Sequence, residues 1–331
     1  MIDLSTTYMG IKLQNPLVVS PSPLCEKIDN IKKMEDAGAS AVILQSLFEE
    51  QINFESEELD RFLMRGAETY AESLSYFPNI EYIKVGPDDY LDLISKAKSA
   101  VKIPIIASLN GVSIGGWTIY AKEFEKAGAD AVELNIYYIP ADLDMVSQQV
   151  EQMYIDVARS VKNSVNIPVA IKISPYFSSM ANMAKQFDQI GCHALVMFNR
   201  FYQPDLDPAK LEVKPKLVLS TSDELTLRLR WVAMLYSRIN ADMAVTGGVH
   251  TVEDVIKSVM AGAKVAMMTS ALMKNSINYL TTLKDGMVKW MEEHDYSSVA
   301  DMQGKLSQQS VAEPAAFERA NYMKLLKGFM S

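Results

Sequence analysis

The sequence is short of the residues that build metal and cluster sites. It has three histidines and two cysteines, Cys25 and Cys192, in 331 residues. Two thiols are too few for an iron–sulfur cluster or a cysteine-rich zinc site made by this chain alone. Their scarcity also fits a reducing compartment. No HExxH or Asp-x-Asp motif accompanies the histidines, so no metal is expected. No apolar run reaches the ~20 residues of a membrane span. The opening MIDLSTTYMG has neither the basic nor the apolar region of a secretory signal. A cytoplasmic protein is expected. Positive charge is in deficit too: the formal net charge of −9 argues against nucleic acid or an anionic membrane as main partner.

What the sequence does have is apolar residues, 49% of the total, and an internal repeat. Ala37-Gly-Ala-Ser-Ala-Val-Ile-Leu, Ala127-Gly-Ala-Asp-Ala-Val-Glu-Leu, Ile190-Gly-Cys-His-Ala-Leu-Val-Met and Ala261-Gly-Ala-Lys-Val-Ala-Met-Met are four copies of one unit. In each, a helix ends at glycine and a buried strand follows. Lys102-Ile-Pro and Asn166-Ile-Pro open two more strands. Apolar runs give eight strands: Pro16–Ser20, Ala41–Gln45, Pro104–Leu109, Ala131–Ile136, Pro168–Ser174, Ala194–Asn199, Asp242–Thr246 and Lys264–Thr269. Helical patterns separate them, such as Glu224–Ile239 with its stripe of Leu225, Leu229, Val232, Leu235 and Ile239. Continuous apolar strands alternating with helices fit parallel strands buried on both faces. The fold class expected is α/β, a (β/α)8 TIM barrel over residues 1–306. A doubly wound sheet is the alternative, but Ser-Pro-Ser-Pro follows the first strand where such a sheet usually has Gly-x-Gly-x-x-Gly.

Two excursions interrupt the barrel. The first, Leu47–Asp88 between strands two and three, is acidic and then tyrosine-rich. The second, Phe201–Asp223 after strand six, contains β-like pieces such as Lys216–Leu219. Segments of such length usually act as lids or interfaces. The tail 307–331 reads as helical over Phe317–Phe329 and would pack on the barrel or on a partner subunit.

In a barrel the C-terminal strand ends carry the chemistry. Thr246-Gly-Gly ends strand seven and Thr269-Ser270 ends strand eight. Gly247 and Gly248 bare their amides, and Thr251 with Asp254 reads as a helix cap, so the pair of ends suits a phosphate. A plain tight turn is the bland alternative. Lys172 on strand five needs either an anion or a carboxylate such as Glu133. Asn135 and Asn199 end strands four and six, where an amide serves a planar heterocycle or caps a turn. His250 reads as a helix-start residue, His193 lies at the closed end and His294 in a terminal helix.

Leu13-Gln-Asn-Pro-Leu, Glu133-Leu-Asn135, Pro168-Val-Ala-Ile-Lys172-Ile-Ser-Pro-Tyr-Phe177, Thr246-Gly-Gly-Val, Thr269-Ser-Ala-Leu and Ala300-Asp-Met-Gln-Gly-Lys-Leu306 occur in this order. In order and spacing they resemble the dihydroorotate dehydrogenase family, most closely its soluble class 1 branch. The resemblance implies an FMN-binding barrel that passes hydride from a small planar substrate to the flavin, as in pyrimidine biosynthesis. It implies cofactor contacts at Ser20, Gln45, Asn110, Asn135, Lys172, Thr221, Gly247, Gly248, Thr269 and Ser270. Substrate would meet Asn135, Asn199 and Ser73. Tyr138 stands where the family's catalytic cysteine is expected, in Asn135-Ile-Tyr-Tyr-Ile-Pro140, and with Lys172 would be catalytic. Gln45 stands in place of a lysine, and Ser73 and Pro140 in place of asparagines. An external electron acceptor and a homodimer are further implications. The residues also admit a phosphate-gripping lyase or isomerase using Lys172, and a flavin-binding protein without catalysis.

Overall fold

The computed structural model describes residues 2–49, 51, 86–111, 114–201, 203–214 and 216–318. The four Ala-Gly units behave as their sequences imply. Gly38, Gly128, Gly191 and Gly262 all have positive φ, between 85° and 126°, and each turns the chain from a helix end into a strand.

The strands of the barrel wall are β3 (Leu17–Val19), β4 (Ala41–Ile43), β6 (Ile105–Gly111), β7 (Ala131–Ile136), β8 (Val169–Ile173), β9 (Ala194–Met197), β12 (Asp242–Thr246) and β13 (Val265–Met268). Each pairs in parallel with the next, β13 returns to β3, and β4 pairs with β6, so the sheet is closed. This is a (β/α)8 barrel. Between the strands lie helices α1 (Ile28–Asp36), α2 (Pro87–Ala100), α3 (Ile114–Lys126), α4 (Ser147–Lys162), α5 (Met180–Ile190), α6 (Leu225–Leu235) and α7 (Val252–Ala261). After β13 come α8 (Ser270–Asn275), α9 (Tyr279–Glu293) and α10 (Val299–Met302).

Three acidic side chains latch neighbouring units together. Glu35, Glu125 and Asp188 sit three residues before the repeat glycine and accept backbone N–H bonds at 2.7–3.2 Å. The donors are Lys102 and Ile103, Asn166 and Ile167, and Asn240 and Ala241, all at the entrance of another strand. A carboxylate that takes two amides holds the chain where proline or polar residues leave strand pairing incomplete.

The closed end of the barrel is plugged by a hairpin, β1 (Thr6–Tyr8) and β2 (Ile11–Leu13). Tyr8, Met9 and Leu13 pack against Ala131, Ala170, Ala194 and Ala244, small inward-facing residues that leave room for them. The Met9 amide donates to Asp242 Oδ2 at 2.8 Å.

The insertion after strand six differs from the expected pattern. Its strands are β10 (Asp205–Asp207) and β11 (Glu212–Lys214), an antiparallel hairpin, while 216–219 form no strand. The hairpin register pairs Asp205 with Lys214 and Asp207 with Glu212, which leaves 216–219 beyond the last pairing, while ion pairs run diagonally from Asp207 to Lys214 and from Asp205 to Lys216. Of the Leu47–Asp88 excursion, residues 52–85 lie outside the described residues, Ser73 among them. The tail is described to Glu318. Ser307 and Gln308 are buried, and the Gln308 amide donates to Ala233 O at 3.0 Å.

Candidate active site

A cavity of about 720 Å³ opens at the C-terminal ends of the strands. At one end are Thr246 to Val249 of the loop after β12, together with Thr269 and Ser270 after β13. The loop is built for close approach. Gly248 has φ of +86°, and a Cβ there would lie 2.5 Å from Leu225 N. Gly247 has φ of +83°, with the Arg228 guanidinium 3.0 Å from where its Cβ would be. Behind the loop, Asp254 locks the start of α7. Its Oδ2 accepts from the amides of His250 and Thr251 and from Ser222 Oγ, while Thr251 Oγ1 accepts from its amide in a capping box.

Two cations at this end are bonded to backbone carbonyls. Buried Arg228 donates to Thr246 O at 3.1 Å and Glu224 O at 2.6 Å. Lys274 Nζ donates to Ser220 O at 2.8 Å. Ser220 is the hub of the region: its amide donates to Ser270 Oγ, and its hydroxyl meets His250 Nε2 at 2.9 Å and the Gly248 amide at 3.4 Å. Burial, then the charge of Lys274, holds the His250 pKa below its ordinary value. These features suit an anion between two strand ends.

The middle of the cavity is set by β7, β8 and β9. Asn135 pairs in register with Lys172. Lys172 Nζ lies 3.4 Å from Glu133 Oε1, and that carboxylate is fully buried with Oε2 lacking a partner. The ion pair posed by the sequence as an alternative to an anion partner is therefore present. Burial, opposed by Lys172, raises the Glu133 pKa. Asn135 Oδ1 is likewise buried without a protein partner. Asn199 Nδ2 donates to Ile136 O at 3.2 Å and Lys172 O at 3.4 Å, tying three strand ends together.

The mouth is aromatic. Tyr137 and Phe201 have ring centroids 4.4 Å apart, and Tyr176 lies 5.5 Å from Phe201. Tyr138 lines the cavity, and its hydroxyl donates to Met145 Sδ at 3.3 Å. Arg200 forms a two-point ion pair with Glu224 at 3.0 and 3.1 Å and donates to Val218 O.

Of the residues expected from the sequence, Ser20, Asn110, Asn135, Tyr138, Lys172, Asn199, Gly247, Gly248, Thr269 and Ser270 line this one cavity. Gln45 does not. Ile43 pairs with Ile106 and Leu47 with Leu109, so four residue steps on one strand span three on the other. That extra residue is a bulge that reverses the pleat. Gln45 consequently lines a separate groove beside α2, with its Oε1 unpartnered. Thr221 is also outside the lining: it is exposed and caps the short 3-10 turn Ser222–Glu224, while Ser220, one residue earlier, faces the cavity. Sequence reasoning passed over Ser220, Phe198 and Arg228. The hydroxyl run Ser220-Thr-Ser after the insertion was the available signal for the first.

The barrel is closed, and its polar cavity lies at the C-terminal face, where barrels of this architecture carry their chemistry. The profile described as "Dihydroorotate dehydrogenase" matches residues 65–291, well over half of the chain, and the chain belongs to that family. It is 25% identical over 315 residues to the catalytic subunit of dihydroorotate dehydrogenase B (NAD(+)) from Thermoplasma acidophilum, covering 92% of this chain and 99% of that protein. The Methanothermobacter thermautotrophicus protein of the same name is 23% identical over 312 residues, covering 91% and 97%. The Escherichia coli K12 NAD-dependent dihydropyrimidine dehydrogenase subunit PreA is 21% identical over 322 residues, covering 91% of this chain and 76% of that one. These relatives are dehydrogenases by name, and the chain is an oxidoreductase at that level of description. Among the described residues no helix is long and apolar enough to cross a membrane.

Proposed function

We propose that the chain is an FMN-dependent oxidoreductase acting on a CH–CH bond of a small, planar, six-membered ring. The observation that carries the reading is the joining, in one cavity, of a cation-backed two-glycine turn to buried Lys172 and a pair of strand-end amides. The residues present fit the group. Asn135 Oδ1 is a buried acceptor awaiting a donor. Gly247 and Gly248 leave the space that any side chain would fill or strain. Dihydroorotate and dihydropyrimidine, the compounds in the relatives' names, share that ring chemistry.

When bound, FMN supplies a ring system that accepts hydride from an adjacent C–H bond. The chain's residues bind, orient and protonate around it. Gly247, Gly248, Thr269 and Ser270 hold the phosphate, with Arg228 and Lys274 supplying positive potential from behind. Ser20 and Asn110 flank the cofactor, and Lys172 contacts its ring beside Asn135. Gln45 and Thr221 drop out of the cofactor set, because neither faces the cavity. Asn199 and Asn135 face the substrate, and Tyr138 moves the proton at its phenolic oxygen. Phe198, Tyr137 and Phe201 exclude water from the reacting face.

An external acceptor takes the electrons onward, and two of the relatives above carry the word "catalytic subunit" in their names. A homodimer completes the proposal. Exposed Leu206, Leu211, Val213 and Leu217 on the insertion are an apolar surface that a second copy would cover, read by sedimentation. The function is tested by the visible spectrum of the purified protein, followed by anaerobic addition of dihydroorotate or dihydrouracil. Bleaching of a flavin spectrum by either supports the reading. A colourless protein that takes up no FMN refutes it.

A further inference from the structure

The interior of the barrel is layered, and an ion pair sits directly above a layer of alanines. Alternate residues of a strand face one side, so Ala131, Glu133 and Asn135 point inward on β7, and Ala170 and Lys172 on β8. Ala131 and Ala170 pack on the plug hairpin, while Asn135 and Lys172 line the cavity. Glu133 lies between the two. It is fully buried, in register with Ser108 of β6 and Ala170 of β8, and its Oε1 is 3.4 Å from Lys172 Nζ. The carboxylate reaches the cavity through that lysine.

Stability alone does not account for a carboxylate in this place. Burial strips it of water, and buried ion pairs can often be exchanged for apolar residues without loss. Burial does raise the Glu133 pKa, against the pull of Lys172. The Ser108 hydroxyl beside it is bonded to Ser46 Oγ at 2.8 Å. The other titratable groups that bear on it among the described residues are Tyr8 of the plug and Tyr90 of α2, both held in their protonated form by burial. Glu133 and Lys172 therefore carry the charge of this layer. A carboxylate so close to an ammonium cancels part of the field that the ammonium projects, and the low dielectric of the interior makes the effect large.

Resting on the reading of the cavity as a flavin site with Lys172 against the ring, we propose that Glu133 is a positioning residue that sets the flavin's electron affinity through Lys172. It fixes the ammonium at the cavity floor and offsets part of its charge. The reduced flavin, which is the more electron-rich form, is then stabilised less than a lysine without its carboxylate would stabilise it.

The test is the midpoint potential of the bound flavin, measured against reference dyes at mildly alkaline pH in the parent and three variants. Glu133→Gln removes the offsetting charge and is expected to raise the potential by ~10-fold in the two-electron equilibrium, about 30 mV. Glu133→Asp draws the carboxylate back by one methylene and should give a smaller rise in the same direction, which keeps the proposal testable if Glu133→Gln does not fold. Lys172→Met/Glu133→Gln removes both charges and should return to the parent's value or below it. An unchanged or lowered potential in either single variant overturns the proposal, as does a double variant that stays as high as Glu133→Gln. Absence of flavin, read first from absorbance, overturns the functional reading and this proposal with it. A bound flavin of unchanged potential overturns the proposal alone.

Discussion

The glycine end and the aromatic mouth of the cavity are built by different means. The glycine end is made of backbone, locked by Asp254 and Ser220, with every turn conformation fixed by a capped helix or a positive-φ residue. The mouth is made of side chains carried by loops, with aromatic contacts and one solvent-facing ion pair. A backbone site tolerates few substitutions and serves one ligand group. A side-chain site can change its substrate while the barrel stays intact. The contrast explains how a chain only 25% identical to the relative from Thermoplasma acidophilum keeps the whole barrel yet has Tyr138 in the position expected of a cysteine.

The sharpest way to separate the two ends is Tyr138→Phe. Turnover should fall by about 10²–10⁴-fold if the phenol moves the proton, with flavin content unchanged because the Tyr138 hydroxyl bonds to Met145 and not to the glycine turn. Steady-state rates beside the absorbance spectrum check this, and full turnover would remove Tyr138 from the mechanism. Next in size is Lys172→Met, which strands Glu133 without its cation. The expected cost is about 3–5 kcal/mol of stability, measured by urea denaturation, with much of it restored in Lys172→Met/Glu133→Gln.

Gly248→Ala attacks the other end. A Cβ 2.5 Å from Leu225 N, on a residue at φ +86°, must shift the loop or α6. About 1–3 kcal/mol of strain is expected, with loss of bound flavin, while the wide-end aromatic contacts persist in near-ultraviolet circular dichroism.

The smallest effect is a pH dependence. The folded-state pKa of Glu133 lies above its ordinary 4.5, because burial outweighs Lys172. Its contribution to stability is therefore complete below about 4.5 and is lost as pH rises through the folded value. The slope cannot exceed one proton, about 1.4 kcal/mol per pH unit. Denaturation midpoints of Glu133→Gln between pH 4.5 and 7 should show a flatter profile than those of the parent.

Local patterns explain what the sequence revealed. The four Ala-Gly units, the Thr251–Asp254 cap and the alternation of buried strands depend on residues near one another, and the eight strands lie where those patterns put them, with ends within two residues of the expected bounds. Non-local features were not legible. The plug hairpin has strands of only three residues, too short for a period, and its fit depends on alanines from four distant strands. The latches from Glu35, Glu125 and Asp188 link residues 41 to 68 positions apart. The bulge that turns Gln45 away is a matter of register between residues 41–48 and β6, which neither segment shows alone.

The central claim is that the Gly247–Gly248 end holds FMN and so makes the barrel a redox enzyme. Its most direct test is flavin stoichiometry, the absorbance of purified protein before and after acid release of the cofactor, for the parent and Gly248→Ala side by side. One FMN per chain in the parent and little in Gly248→Ala is the predicted result. A parent protein that stays colourless after incubation with FMN, or a Gly248→Ala protein that binds it equally well, would contradict the account.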